Sequence, residues 1–472
     1  MKFLSALAAA ACVLVCSPSL LAAQETQPKM NVVFILADDM RPDAPHGLGN
    51  AQIETPNLDK LAARGCVFTR ASCGYPICHV SRSEILTGRC LVGADMPGHP
   101  LKLDPQWTFW PEVMRRAGWN TAYCGKWHVQ GTPWTRGYAE TAGLFSAGGA
   151  AGKPLTFPVS ATGRKVTGYT GWTFKDNDNK ALPDLGVGLT PETDAHIADG
   201  AIQVIHHHPA GPFFIHVNFT APHDPLHWPR GLENRIAAET LTLPRNFAPQ
   251  HPFDHGNIKG RDEVIVPAPR SAEDVKKERA IYFTLVENLD AQVGRIVSAL
   301  EETGELAHTL IIFSSDHGLA MGSHGLMGKQ NQYEHTINVP LILAGPHVPA
   351  GRRCTAQCCL RDLFPTVCEM TGLAIPATVQ GVSFLPVLKG EKEEVRDAVF
   401  GYFTDTQRMM RTADGWKLIW YPKISRHQLF HLPDDPDEMK DLSGDPALQD
   451  RMQQMQAALE AWQKQQGDLL GK

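Results

Sequence analysis

The 472-residue chain has no marked excess of charge of either sign: 44 Lys+Arg stand against 50 Asp+Glu, a formal net charge of −6. A strongly basic face, of the kind that tracks nucleic acid or an anionic membrane, is therefore not expected. Beyond its first residues the chain has no apolar run long enough to cross a bilayer, and it has no internal repeat. Nor is its composition that of a disordered, collagen-like or coiled-coil chain: 43% of residues are hydrophobic, 20% charged and 8% aromatic, with 41 Gly and 35 Pro. What remains is a globular protein large enough for a sizeable core plus an appendage.

The start of the chain reads as a targeting signal. Lys2 precedes a mostly apolar run from Phe3 to Val15, Ser17-Pro18-Ser19 breaks it, and Leu21-Ala22-Ala23 offers the small residues a signal peptidase accepts. Residues 1–23 are expected to be a cleaved signal peptide, making the mature protein exported, periplasmic or secreted. Cys12 and Cys16 leave with it, so nine of the eleven cysteines remain. In an oxidising compartment an odd number points to one Cys with another fate. Cys354, Cys358, Cys359 and Cys368 lack clear zinc-ligand spacing and are expected to be disulfides or buried thiols.

The rest alternates between helices and apolar strands. Asn31–Ala37 is an apolar run that stops at Asp38-Asp39, and Thr55-Pro56 opens a helix that ends near Gly65. Another helix, over Phe109–Arg116, precedes the short strand NTAYC and then Gly125-Lys126-Trp127-His128. Thr190-Pro191 opens a helix towards His206, and PFFIHVNFT is a strand that ends near His223. Ser271, with Asp274 three residues on, caps a long helix to about Thr303. HTLIIFSS ends at Asp316-His317-Gly318, and residues 339–345 form one more strand.

This pattern predicts an α/β fold: a large, mostly parallel mixed sheet flanked by helices on both faces, over residues 24–372. Residues 373–472 are expected to form a smaller C-terminal α+β subdomain. Gly131–Leu189, without clear periodicity, reads as long surface loops. In such sheets ligands bind beyond the carboxyl ends of the strands. Here four strands end in Asp-Asp, Lys-x-His, His and Asp-His.

The chemistry concentrates around Cys78, in PICHVSRSEILTGR (Pro76 to Arg89). This segment resembles the formylglycine-dependent sulfatases of the alkaline-phosphatase superfamily, in which C-x-P-S-R followed by x-x-x-L-T-G-R marks the modified cysteine. Cys78, Ser81, Arg82 and Leu86-Thr87-Gly88-Arg89 match. The resemblance continues in order through ADD at 37–39, TPNLDKLAARG at 55–65, GKWH at 125–128, APHDP at 221–225, SDHG at 315–318, Lys329 and the closing LFHLPDDPDE. Two positions depart from the pattern. Val80 stands where the family usually has Pro or a small residue, and His317 stands where many members have Asn.

A sulfate ester hides its sulfur behind negative oxygens, so hydrolysis needs cations around them, a nucleophile in line and an acid for the departing alcohol. Asp38, Asp39 and Asp316 offer hard oxygen ligands that suit Ca2+ better than zinc. Lys126 and Lys329 can act as fixed charges on sulfate oxygens, and Arg82, one helical turn after Cys78, can hold the nucleophile. The resemblance implies that Cys78 becomes formylglycine (3-oxoalanine), installed by a formylglycine-generating maturation enzyme. It implies that Cys78 and His317 complete the metal site, and that the hydrated aldehyde attacks sulfur and later expels sulfate. His128 then assists as a base and His223 protonates the leaving oxygen. The expected substrate is a sulfated small molecule or glycan, such as the sulfated sugars of a polysaccharide.

Each feature also has a structural reading: an Asp pair caps helices, an exported Cys forms disulfides, and Lys residues coat surfaces. Two alternatives stay open. One is a phosphatase or phosphodiesterase of the same superfamily, which usually calls for a Ser or Thr nucleophile and two zinc ions. The other is a non-catalytic binding protein with unmodified Cys78, which Val80 favours.

Overall fold

The computed structural model describes residues 29–470, so the expected signal peptide lies outside the described residues. One large sheet organises the chain. Its strands are β1 (Asn31–Ala37), β2 (Gly65–Ser72), β3 (Asn120–Trp127), β4 (Glu140–Ser146), β5 (Thr173–Lys175), β6 (Ala181–Val187), β7 (Phe213–Asn218), β8 (Thr309–Ser315), β9 (Asn338–Ala344), β10 (Arg352–Cys354) and β11 (Cys358–Cys359). They lie in the order β10-β2-β9-β8-β1-β7-β3-β4-β5-β6, with β11 on β2. The central run β8-β1-β7-β3-β4 is parallel, whereas β9, β5 and β6 run antiparallel to their neighbours.

The helices used below are α1 (Pro56–Ala63), α2 (Cys78–Thr87), α3 (Trp110–Arg116), α4 (Thr193–His207), α5 (Arg261–Val264) and α6 (Ala272–Glu302). The apolar run of β1 reads as it does because both of its faces are covered. Val32, Phe34 and Leu36 enter one hydrophobic layer, and Val33, Ile35 and Ala37 enter the other. Helix α6 begins where expected: Ser271 Oγ accepts from the Asp274 amide at 3.0 Å. Beyond the large sheet, Ala398–Phe403, Gln407–Thr412, Trp416–Tyr421 and Arg426–His431 form a four-stranded antiparallel sheet, followed by the helix Gln449–Gln466.

Three expectations need correction. The segment from Gly131 to Leu189 is not only loop: β4, β5 and β6 come from it and extend the sheet. Their short, polar, edge-like sequences carry neither a long apolar run nor clean alternation. The strand NTAYC continues through Gly125 and Lys126 to Trp127. And all nine described cysteines are free thiols, eight of them buried, so the expectation of buried thiols holds and that of disulfides does not.

Candidate active site

The parallel registers bring the strand ends level. Ala37 pairs with Ser315, so Asp38-Asp39 and Asp316-His317 leave the sheet side by side. Leu36 pairs with Asn218, and Asn218 pairs with Gly125, which puts Lys126 one step beyond on the same edge. Gly125 has a reason to be glycine: its φ is +93°, and a Cβ there would lie 2.0 Å from the Asn218 carbonyl oxygen. The register of β3 against β4 shifts at this point. The bulge places the Lys126 side chain among the acids.

Other elements brace this edge. From α6, the Tyr282 hydroxyl donates to the Asp39 carbonyl (2.8 Å) and accepts from the Arg41 amide (2.9 Å). Asp194 of α4 accepts from the Thr220 amide at 2.9 Å and holds the loop that carries His223. Asp39 itself sits at φ 70°, a left-handed conformation uncommon for a residue with a side chain.

Cys78 is the first residue of α2, whose C-terminus closes on Gly88 at φ 63°. The helix start favours a negative group at Cys78. Ser81 Oγ donates to the Asp316 carbonyl at 2.6 Å. Arg82, 3% exposed, donates from Nε to Asp316 Oδ2 at 2.9 Å, from Nη1 to Asn218 Oδ1, and has Nη2 3.4 Å from Asp38 Oδ1. Cys78 Sγ is 3.3 Å from Asp38 Oδ1 and 3.6 Å from Lys329 Nζ. Lys329 reaches both oxygens of Asp39 at 2.9 Å and His223 Nε2 at 2.8 Å. Lys126 pairs with Asp38 Oδ2 and donates to the Tyr169 hydroxyl at 2.8 Å, which donates to the same carboxylate at 3.0 Å. His317 Nδ1 lies 3.2 Å from Asp39 Oδ1.

The electrostatics follow from burying so many charges together. Burial pushes the Cys78 thiol up, but Lys126, Lys329 and His317 outweigh it and hold the group well below the ordinary thiol range. Burial also raises Asp38, yet Lys126, His223 and Arg82 bring it below the usual carboxylate range. Asp39 and Asp316 go the other way: burial dominates both, and Asp316 is pushed up to about 7. His128, beside Cys78, is pushed down to about 4, mainly by burial. Burial lowers His223 too, but Asp39 and Asp224 carry it up to about 8. Burial lowers His317 as well, but Asp316, Cys78 and Asp39 carry it up to about 9, so at neutral pH the cysteine is flanked by a neutral His128 and by protonated His223 and His317.

All the residues expected at the site converge here, with one difference in detail. Potential ligand atoms of Asp38, Asp39, Cys78 and His317 lie within 4.8 Å of one another. Asp316 is outside that group, because its carboxylate is turned to Arg82 and to the amides of Asp39 and His317. A second trio, Asp39, His223 and Asp224, shares space with Lys329. The residues fit a divalent cation: buried carboxylates face one point, and His317 Nε2 is buried beside them with no hydrogen-bond partner. Sequence reading missed Tyr169, which lies in a glycine-rich stretch without a motif. It also missed Asn218, whose only signal is its place at the end of an apolar strand, and the Arg261 clamp on Asp224 at 2.5 and 2.8 Å.

The fold is of alkaline-phosphatase-like architecture, with a cluster of acids, lysines and a buried cysteine at its strand ends. A sulfatase family model matches residues 30–373, and a model described as N-sulphoglucosamine sulphohydrolase, C-terminal, matches residues 322–465. The chain belongs to the sulfatase family and is a sulfuric ester hydrolase. It is similar to an arylsulfatase of Clostridium perfringens, 28% identical over 91% of this chain and 94% of the relative. It is also similar to human arylsulfatase K, 25% identical over 88% of this chain and 78% of the relative. Among solved structures, one in complex with its substrate D-glucosamine-2-N,6-O-disulfate superposes with a TM-score of 0.74 at 22% identity, over 93% of this chain and 99% of that one. The phosphonate monoester hydrolase of Agrobacterium radiobacter gives a TM-score of 0.75 at 22% identity, over 93% and 96%. These two likenesses speak for the fold alone.

Proposed function

We propose that the protein is an exported, calcium-dependent sulfatase that hydrolyses sulfate esters of carbohydrates, with Cys78 matured to formylglycine. The observation that carries this reading is the position of Cys78 at the start of α2, fully inside a ring formed by Lys126, Lys329, His128, His317 and the Asp38-Asp39 pair. A thiol in the family motif meets there the cations that a sulfate group needs.

The hydrated formylglycine, when present, supplies an oxygen nucleophile with a second hydroxyl for releasing sulfate. Asp38, Asp39 and His317, together with residue 78, would hold the calcium, with Asp316 behind them on Arg82, and the ion would supply a fixed positive charge at the sulfate. Lys126 and Lys329 bind sulfate oxygens in place of their present carboxylate partners. Arg82 holds Asp38 and Asp316 in position behind the nucleophile. His128, neutral because it is buried, takes a proton at its free ring nitrogen. His223, protonated and held by Asp224, gives a proton to the departing oxygen.

Val80, the departure from the family motif, is wholly buried in α2 and packs in the hydrophobic core. Sulfate release by protein that carries the aldehyde at residue 78, and its loss in Cys78→Ala, is the expected result. Equal release by the Cys78→Ala protein would overturn the proposal.

A further inference from the structure

Two spaces lie near the site, one by Asp224 and Asp262 and one by His79 and His128, although Cys78 itself lines neither. The cavity beside Asp224 and Asp262 encloses about 50 Å³, room for little more than water. On the other side, next to His128, opens a cleft of about 700 Å³. The second has room for a sugar ring, and its lining includes His128 and the residue next to Cys78.

That cleft contains a pair outside the machinery described so far. His79, the residue after Cys78, is hydrogen-bonded through Nε2 to Asp95 Oδ2, and both side chains are 28–29% exposed. Asp95 sits in the left-handed region at φ 54°, and its other oxygen accepts from the Leu101 amide at 3.1 Å. A carboxylate so anchored accepts from His79 Nε2–H and orients the ring, which leaves Nδ1 outside that bond for a second hydrogen bond. The His79 ring stands 5.5 Å from that of His128. Trp127 and Trp172 contribute apolar wall, Trp172 packing edge-on against His128 at 5.3 Å, and Lys175 provides a donor at the rim. Acceptor, donor and aromatic surface around one space match a ring that has hydroxyls at its edge and C–H groups on its face. With a single cation beside a paired carboxylate, the cleft suits a neutral ring rather than a second anionic group.

We infer that the His79–Asp95 pair is a specificity-determining subsite that holds a hydroxyl of the pyranose ring bearing the scissile sulfate. This rests on the reading that Cys78 carries the sulfatase nucleophile, and it predicts discrimination between sugar and aryl esters. The probes are 4-nitrophenyl sulfate and the ring-position monosulfates of D-galactose, D-glucose and N-acetylglucosamine. Rates are normalised to the aldehyde content at residue 78, because His79 adjoins the modified position, and melting temperatures are recorded. Asp95 lies outside that segment, so Asp95→Ala provides an independent arm beside His79→Gln.

The expected result is a fall of roughly tenfold or more in the ratio of sugar-sulfate to aryl-sulfate kcat/KM in both variants, carried by KM. A loss of structure alone would lower both substrates together and leave the ratio unchanged. A ratio within about threefold of the parent's in both variants overturns the inference. So does a parent enzyme that hydrolyses the aryl ester and none of the sugar sulfates, an outcome that leaves the sulfatase reading standing. Aldehyde-bearing protein that hydrolyses neither probe overturns that reading and the inference with it.

Discussion

Replacing Arg82 by Met removes a buried cation and leaves its partners in place. Arg82 is 3% exposed, while the Asp38 and Asp316 side chains it pairs with are 0% exposed. Breaking a buried ion pair on one side costs about 3–5 kcal/mol. Here the loss falls mainly on Asp316, which keeps only two amide hydrogen-bond donors, whereas Asp38 retains Lys126. Lys in the same place keeps the charge but cannot contact Asp316, Asp38 and Asn218 at once, so Arg82→Lys should cost about 1–3 kcal/mol. Proton uptake by the abandoned carboxylate sets the pH dependence. Asp316 already has its pKa raised by burial to about 7, so its ionisation costs stability as pH rises from the unfolded carboxylate value through that range. Without Arg82 the rise goes further, and the variant's deficit should be larger at pH 8 than at pH 6. Urea unfolding in the presence of a chelator measures this, since bound calcium would offset part of the lost charge. The double variant Arg82→Met/Asp316→Asn should recover about 1–3 kcal/mol relative to the sum of the single changes. A stability of Arg82→Met within about 1 kcal/mol of the parent's at pH 8 would refute the account of how these charges are held.

His223→Ala should lower kcat by about 10²–10⁴ for sugar sulfates and far less for 4-nitrophenyl sulfate, whose leaving group needs no proton; equal losses on both would remove His223 from the acid role. Removing calcium with a chelator should lower the melting temperature and adding it back should restore it, a stabilisation of about 2.7 kcal/mol at a hundredfold excess over Kd. No shift would contradict the metal site. Burial pushes His251 and His324 down to about 4 and His255 to about 3. The unfolded chain therefore binds more protons below about pH 6.5, and stability should fall on acidification by up to about 2 kcal/mol per histidine between pH 6.5 and 5. A melting temperature that is flat from pH 7 to 5 would show that these rings are not held neutral.

The core of this fold is legible because its central strands are covered on both faces. Asn31–Ala37 and Thr309–Ser315 carry continuous apolar stretches and Phe213–Asn218 one interrupted only by His216, and each stops at the polar residues that the parallel registers then align. Strands β4 to β6 lie at the sheet's edge, where half-exposed positions erase that contrast. Gly65–Ser72 is no more legible: Thr69 and Arg70 interrupt its run, and its pairing with β9 passes through an irregularity there. At the site, Cys78, Arg82 and the Asp pairs stand in motifs. Tyr169 is different: only the folding of a glycine-rich segment over the strand ends brings its hydroxyl to Lys126 and Asp38. The orientation of Asp316 towards Arg82 is likewise a product of packing, which no spacing in the sequence encodes.

The central claim is that Cys78 is the precursor of the nucleophile. The most direct measurement is the mass of the tryptic peptide Ala71–Arg82 from protein made together with a formylglycine-generating enzyme. The account predicts a peptide in which an aldehyde replaces the Cys78 thiol, in protein that releases sulfate in proportion to its aldehyde content. An unmodified thiol in protein that releases sulfate would contradict it.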